Sequence, residues 1–213
     1  MARKNVVELD GRPLLGWAID AARNSGMMDR IVVSTEDDTI AVVARNLGVD
    51  VPFMRPAHLA RDPAGVVDVA LHALVTLREQ GDDYRTLVIL LPTCPYRSAE
   101  DIRNAVNLFK QQNGKFLMSV SRYEHTPFAA MDIGDDQILR PYFPEYIGKK
   151  SQEMPVALRA NGAIHVLDVE AFEHARSYYA QPLIGYEMPW ERSIDIDTAH
   201  DLRLAESLLV KQA

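Results

Sequence analysis

The sequence has very little cysteine: one residue, Cys94, among 213. A single thiol excludes an internal disulfide framework and favours a reducing compartment. No apolar run approaches the ~18–20 residues that would span a bilayer, and the first residues lack the apolar core of a signal peptide. The six histidines show no metal-ligand spacing, so no zinc site is expected. These absences predict a cytoplasmic protein without a membrane segment.

Positive charge is also scarce: 23 Lys and Arg stand against 30 Asp and Glu, a formal net charge of −7. Without a basic run, the chain lacks what tracks a nucleic-acid backbone or an anionic membrane. A nucleotide stays possible, because a few cations and backbone N–H groups hold a triphosphate. Hydrophobic residues reach 47% and charged residues 25%, so the composition predicts one folded domain over residues 1–213.

Strand-like apolar runs alternate with helical periodicity, as expected for a layered α/β domain. Helices are predicted over residues 13–24, 38–47, 67–80, 98–112, 169–176 and 198–210. Strands are predicted over residues 30–35, 50–54, 86–91, 116–120, 163–167 and 183–188. Ser98 and Asp101 have the spacing of a capping box at the start of the fourth helix.

The pattern changes over residues 123–158, where proline and aromatic residues become frequent and helical periodicity disappears. Long segments without regular periodicity are usually functional or contact a partner. This segment is therefore predicted to be an arm or lid inserted into the domain.

Asp195 and Asp197 are two residues apart, so on an extended segment their carboxylates point to the same face. Two carboxylates on one face are suitable ligands for Mg²⁺ beside a triphosphate. The alternative for Asp197 is a helix N-cap. A charge between Ile194 and Ile196 needs a partner, which favours a functional role for Asp195.

Seven short stretches, in order, resemble the CMP-sialic acid synthetases, also called acylneuraminate cytidylyltransferases. They are KN at 4–5, GRPLL at 11–15, RIVVSTED at 30–37, RPAHLARD at 55–62, LPTCPYR at 91–97, RANGAI at 159–164 and SIDIDT at 193–198. Each stretch is weak alone, but their shared order across the chain is specific.

The resemblance implies a three-layer, Rossmann-like α/β fold of the nucleotide-diphospho-sugar transferase kind, with a mostly parallel central sheet. It implies transfer of CMP from CTP to a sialic acid-like nonulosonic acid, with release of pyrophosphate and with Mg²⁺ as cofactor. It also implies a homodimer joined by the arm, whose exposed aromatics suit an interface.

The resemblance further assigns roles to individual residues. Asp195 and Asp197 are the implied catalytic metal ligands. The implied nucleotide-binding residues are Lys4 (also catalytic), Asn5, Arg55, Pro92 and Thr93, and the implied substrate-binding residues are Arg159, Asn161, Gln152 and Lys150.

Three of these positions carry alternatives. The guanidinium of Arg159 suits the sugar carboxylate but would equally form a surface ion pair. Arg55 stands at a strand end, where ligands bind in open α/β sheets, or it is a turn residue before Pro56. Cys94 is interpreted as a small packed residue and not as a nucleophile.

The sequence departs from the family at its start. Family members open with a buried strand and a loop of the form Ala-Arg-x-Gly-Ser-Lys, whereas here Arg3, Lys4 and Asn5 remain. The departure predicts an open sheet edge and an incomplete triphosphate cradle. Two alternatives therefore stay open: a catalytically impaired sugar- or nucleotide-binding or interaction protein, and a cytidylyltransferase for legionaminic acid, pseudaminic acid or 3-deoxy-manno-octulosonate.

Overall fold

The helices lie close to where their periodicity predicts them. A computed structural model describes residues 3–209. Its α-helices are α1 (Leu14–Ser25), α2 (Asp38–Asn46), α3 (Val66–Glu79), α4 (Ala99–Gln111), α5 (Val169–Ala175) and α6 (Ala199–Leu209). The predicted end of the last helix, residue 210, lies outside the described residues. The capping box at α4 is confirmed, because the Ser98 Oγ accepts from the Asp101 N–H at 3.0 Å while the Asp101 carboxylate accepts from the Ser98 N–H at 2.9 Å.

The strands form one central sheet and two small hairpins. They are β1 (Glu8–Leu9), β2 (Arg12–Pro13), β3 (Thr86–Ile89), β4 (Phe116–Arg122), β5 (Met131–Ile133), β6 (Leu139–Pro141), β7 (Leu158–Asp168) and β8 (Leu183–Glu187). The central sheet has the order β3-β7-β4-β8. The hairpins pair β1 with β2 and β5 with β6.

The central sheet is mixed, which corrects the expectation of a mostly parallel sheet. β7 runs antiparallel to both β3 and β4, and only the β4–β8 pair of this sheet is parallel. The reason lies in the arm: the chain leaves β4 at Arg122 and returns into β7 at Leu158, and these two residues are paired. The arm is therefore the long connection of a hairpin, and a hairpin makes its strands antiparallel.

Two predicted strands, 30–35 and 50–54, do not form a ladder in the described chain. A single parallel bridge joins Val32 to Asp50, and the Val33 N–H donates to the Asp50 carbonyl at 3.0 Å. β3 and β8 are the two edge strands of the central sheet, and residues 87–89 of β3 are half-buried.

Helices cover both faces of the sheet, so the three-layer α/β fold is confirmed. On one face α4 packs Ile102 and Val106 against Leu117 of β4 and Val166 of β7. On the other face α3 and α5 pack with the neighbouring β4 residue, Phe116. Successive β4 residues enter opposite layers because strand side chains alternate.

The segment predicted as an arm carries the β5–β6 hairpin outside the central sheet. At its base Phe128 contacts Phe143 edge-on at 5.4 Å and Tyr146 at 4.7 Å between ring centroids. The large apolar side chains that residues 123–158 expose are Tyr123, Met131, Ile133, Ile138, Leu139, Tyr142, Ile147, Val156 and Leu158. Within residues 3–209, no helix is long and apolar enough to cross a membrane.

Candidate active site

Three chain segments meet beyond the carboxyl end of β3: the loop 92–95, the middle of β7 and the segment 193–197. The Ile196 N–H donates to the Thr93 carbonyl at 2.8 Å, and the Cys94 thiol donates to the Asn161 carbonyl at 3.3 Å. Ligands in open α/β sheets bind at such strand ends. The fold thus places predicted site residues from distant parts of the sequence in one neighbourhood.

Asp195 and Asp197 face solvent, while Ile194 and Ile196 between and beside them are buried at 7% and 0% exposure. This alternation puts both carboxylates on the outer side, as their spacing predicts. The reciprocal bonds at the start of α6 belong to Thr198 and Asp201: the Thr198 N–H donates to Asp201 at 2.8 Å, and the Thr198 Oγ accepts from the Asp201 N–H at 3.3 Å. Thr198 stands directly before α6, so the capping position falls on it and not on Asp197.

Lys4 reaches this carboxylate face from the opposite end of the sequence. Its Nζ lies 2.5 Å from Asp197 Oδ1, a contact between two predicted catalytic residues. Arg3 beside it pairs with Asp37 at 2.9 Å. Asn5 is half-buried in the same short 3₁₀ turn, Lys4–Val6. The pairing puts the cation of the predicted phosphate-binding element at the predicted metal-binding element.

β7 carries a large bulge at the site. Met118 pairs with His165 and Val120 pairs with Ala160, so the four β7 residues 161–164 stand opposite one β4 residue, Ser119. Bulges re-aim strands beside functional sites. Gly162 in this bulge has φ +70°, a conformation that favours glycine. A Cβ there would lie 3.4 Å from Leu91 Cδ1 and 3.9 Å from Asp195 Oδ2.

The side chain of Asn161 points into the protein. Its Oδ1 accepts from the Ser119 hydroxyl at 2.6 Å and from the Ala163 N–H at 3.1 Å. Its Nδ2 donates to Ser193 Oγ at 2.9 Å, and Asn161 is only 5% exposed. The predicted contact between Asn161 and the sugar stays a prediction; in this arrangement both ends of the amide are bonded within the protein.

A buried arginine, Arg97, supports the site and is not among the predicted site residues. It is 2% exposed, and its guanidinium donates to the carbonyls of Leu91, at 2.9 Å, and Ala163. Leu91 directly precedes the 92–95 loop, and Ala163 belongs to the β7 bulge. Burial lowers the pKa of Arg97 to about 10, which leaves it charged at neutral pH. The sequence signal was its place at the end of the LPTCPYR stretch.

Cys94 of the 92–95 loop is fully buried against the β7 bulge. Burial, with the negative charge of Asp195 as the next cause, raises the pKa of its thiol to about 12. A thiol with that pKa stays protonated at neutral pH and is a poor nucleophile. The interpretation of Cys94 as a packed residue is confirmed.

Arg55 forms a fork on the Glu36 carboxylate, with Nε at 3.1 Å from Oε2 and Nη2 on the same oxygen. Burial alone would raise the pKa of Glu36, but the bond from Arg55 lowers it below its ordinary value. The Arg55 N–H also donates to the Thr35 carbonyl at 2.9 Å. Arg55 is thus held against Thr35 and Glu36 with its charge already paired, and its contact with the nucleotide stays a prediction.

Three of the predicted sugar-binding residues, Arg159, Lys150 and Gln152, are exposed, whereas the fourth, Asn161, is buried. Arg159 faces Ser121 across the β4–β7 ladder, and Lys150 and Gln152 lie in the arm. A cavity of about 390 Å³ at the base of the arm is lined by residues that include Arg122, Ser151 and Pro155. Among residues 3–209, no hydrogen bond or ion pair joins Arg159, Lys150 or Gln152 to Asp195.

The face that carries Asp195 and Asp197, here called the acidic face, offers too few ligands to hold Mg²⁺ without a bound phosphate. Over the described chain, no cluster of three or more His, Cys, Asp or Glu side chains has the arrangement of a metal site. Mg²⁺ commonly takes one or two protein carboxylates and completes its shell with phosphate oxygens and water. Asp195 and Asp197 together with a triphosphate would supply such a donor set.

Solved structures share this fold. CMP:2-keto-3-deoxy-manno-octonic acid synthetase complexed with CTP matches with a TM-score of 0.68 at 10% identity, over 100% of this chain and 94% of that chain. The 4-diphosphocytidyl-2C-methyl-D-erythritol synthase of Anaerococcus prevotii matches with a TM-score of 0.63 at 12% identity, over 97% and 93% of the two chains. The architecture is therefore that of the nucleotide-diphospho-sugar transferases.

Sequence comparison gives the family. Residues 1–143 match the cytidylyltransferase family, and the chain belongs to it. A CMP-N,N'-diacetyllegionaminic acid synthase of Legionella pneumophila is 31% identical over 97% of this chain and 89% of its own length. A pseudaminic acid cytidylyltransferase of Campylobacter jejuni is 27% identical over the same shares. An N-acylneuraminate cytidylyltransferase of Escherichia coli is 29% identical over 100% of this chain, which spans 49% of that relative. The resemblance to cytidylyltransferases for nonulosonic acids is confirmed.

Proposed function

We propose that this protein transfers CMP from CTP to a nonulosonic acid of the sialic acid type and releases pyrophosphate. The observation that carries the proposal is the Asp195–Asp197 face with Lys4 on Asp197, at the carboxyl end of β3. The names of three relatives support the substrate class, since they cover legionaminic, pseudaminic and N-acylneuraminic acids.

The reaction needs positioning and charge neutralisation more than covalent catalysis. The anomeric hydroxyl forms a bond to the α-phosphorus, the bond to the β-phosphate oxygen breaks, and the hydroxyl proton passes to solvent. Asp195 and Asp197 would hold Mg²⁺, which supplies charge neutralisation at the phosphates when bound. Lys4 would exchange its bond to Asp197 for a phosphate oxygen, because both contacts use the same ammonium group.

The sugar would be held from the arm side. Arg159 offers a guanidinium fork to the sugar carboxylate. Lys150 and Gln152 offer a cation and an amide from the arm, near the cavity at its base. The breadth of sugars among the relatives leads us to test a panel and not one acid.

The decisive assay measures pyrophosphate released from CTP and Mg²⁺ with N-acetylneuraminic, legionaminic, pseudaminic and 3-deoxy-manno-octulosonic acids as separate acceptors. We expect release with at least one nonulosonic acid above a no-sugar control. Asp195→Asn should abolish that release, because the amide loses the negative charge that a hard cation requires. Release undiminished in Asp195→Asn would remove Asp195 from the mechanism.

A binding protein without turnover is the second candidate. Its support is that two cations of the predicted phosphate-binding element, Arg3 and Lys4, already pair with Asp37 and Asp197. The two candidates differ in a thermal shift assay, since a ligand that binds the folded state raises the melting temperature. CTP with Mg²⁺ should stabilise the cytidylyltransferase whether or not a sugar is present, whereas a sugar-binding protein without nucleotide function should respond to sugar alone.

We further propose that the arm joins two copies of the chain. Its exposed apolar side chains, such as Ile133, Leu139 and Tyr142, form the kind of surface that a partner covers. Light scattering at micromolar concentration should give the mass of a dimer. A monomer under these conditions contradicts this assignment.

A further inference from the structure

The side-chain bonds of Asn161 connect three separate parts of the site. Its Oδ1 accepts from Ser119 of β4, which also bonds both backbone groups of Ile164 in β7, with the Ile164 N–H at 2.8 Å. Its Nδ2 donates to Ser193, whose hydroxyl donates in turn to the Pro189 carbonyl at 2.8 Å. Ser119, Asn161 and Ser193 are 1%, 5% and 2% exposed. One buried chain of hydrogen bonds thus runs from the central sheet to the segment that carries Asp195.

This chain of bonds also determines where the bulge stands. Four β7 residues oppose one β4 residue, and the bonds of Ser119 to Asn161 and Ile164 close the bulge at both ends. The bulge brings Gly162 against Leu91 and Asp195. From the other side, the Ile196 N–H donates to the Thr93 carbonyl. Asp195 is therefore located between two anchors, Ser193 on Asn161 and Ile196 on Thr93.

We propose that Asn161 is a positioning residue that orients the Asp195 carboxylate by holding Ser193, and that it does not contact the sugar. Buried hydrogen-bonded networks specify one arrangement, because any unpaired member costs free energy in a low dielectric. An amide is suited to this place, since it accepts from the sheet and donates to the 193–197 segment at the same time. The catalytic part of this inference rests on the function proposed above.

The first test uses hydrogen exchange of the ligand-free protein and does not depend on activity. In Asn161→Ala, the Ile196 amide should exchange about tenfold faster than in the wild type, because its segment loses an anchor. Amides of α3 should keep their protection. Asn107→Ala, an exposed asparagine on α4, is the matched control and should change neither region. Unchanged exchange at Ile196, or a uniform loss across the protein, would overturn the positioning role.

Ser193→Ala tests the same bond from its other partner and stays informative if Asn161→Ala does not fold. It should accelerate exchange at Ile196 in the same direction. In the double variant, Asn161→Ala with Ser193→Ala, exchange at Ile196 should be little faster than in the faster of the two single variants, because both changes remove the same bond between Asn161 and Ser193. Fully additive effects would show that the two side chains act independently and would overturn the proposal.

The second test separates positioning from sugar binding by kinetics. With the best acceptor, Asn161→Ala should lower kcat about 10²-fold and raise the half-saturating Mg²⁺ concentration, while KM for the sugar changes less than about twofold. A raised sugar KM with unchanged kcat would overturn the inference and restore a direct contact. If the wild type shows no transfer at all, the proposed function fails, and the exchange experiment still decides the role of Asn161.

Discussion

The ion pair between Asp101 and Arg192 gives a stability prediction that the structure makes quantitative. Asp101 is buried at the start of α4, and Arg192 binds both of its oxygens, with Nε at 2.8 Å and Nη2 at 2.9 Å. The Asp101 side chain is 2% exposed and that of Arg192 is 41% exposed. Replacing Arg192 by methionine would leave a buried carboxylate without its cation.

The expected cost is about 2 kcal/mol. Breaking a fully buried pair typically costs about 3–5 kcal/mol, and the exposure of Arg192 reduces that figure. Ser98 keeps two bonds to the carboxylate, and the Tyr186 hydroxyl adds a third at 3.3 Å. For a domain of this size, about 2 kcal/mol corresponds to a melting temperature about 4–8 °C lower.

The pH dependence makes the prediction specific. Burial alone would raise the pKa of Asp101, but the bonds from Arg192 and Ser98 lower it below 3.8. The stabilising contribution is therefore present above about pH 4, and it is lost as the pH falls through the lowered pKa of the folded protein. In Arg192→Met the effect of burial on the pKa of Asp101 dominates, because the bond from Arg192 is gone. The variant should therefore gain stability relative to the wild type as the pH falls and Asp101 takes up a proton.

Denaturant unfolding of wild type and Arg192→Met at pH 7 and near pH 4 tests this reasoning. The difference in free energy of unfolding between the two proteins should be larger at pH 7 than near pH 4. Arg78→Met is the matched control, because Arg78 pairs with Glu173 and Asp83 at the surface, and it should cost less than about 1 kcal/mol. Equal losses in the two variants, or a gap independent of pH, would refute the role assigned to burial.

Three further predictions concern buried groups near the site and sheet. Cys94, with a thiol pKa of about 12, should resist alkylation at pH 8 in the folded protein and react once it is unfolded; rapid reaction of the native protein would contradict its burial. Burial lowers the pKa of His165 to about 4, so the neutral imidazole contributes fully to stability above pH 6.5, and this contribution is lost as the pH falls towards 4. NMR titration of the imidazole should give the lowered pKa, and the stability of His165→Phe should depend less on pH than that of the wild type. Gly162→Ala should cost about 1–2 kcal/mol from its left-handed conformation, and it should lower activity because the new Cβ enters the space beside Asp195; wild-type stability in calorimetry would contradict the assigned conformation.

Much of the layered architecture was readable from the sequence, since helices and strands follow from hydrophobic periodicity. α1 and α4 lie within one residue of their predicted bounds, and the Ser98–Asp101 capping box needed only its spacing. The face shared by Asp195 and Asp197 was also predictable, because alternation along an extended segment is a local property. The prediction of strands over 30–35 and 50–54 was wrong, because only a single bridge joins these segments. A strand needs a neighbour with which to pair, and the local sequence does not specify that neighbour.

Only the tertiary structure decided which distant residues contact one another at the site. The sequence by itself determined the class of fold, the face shared by Asp195 and Asp197, and the likeness to one family, because these depend on local patterns and on the order of short stretches along the chain. The reversed direction of β7 follows from the connection through the arm. The contact of Lys4 with Asp197 and the buried bonds of Asn161 join residues up to 193 positions apart. Periodicity and spacing carry no information on such distances, so only the packed chain assigned Asn161 to the interior and Lys4 to the acidic face.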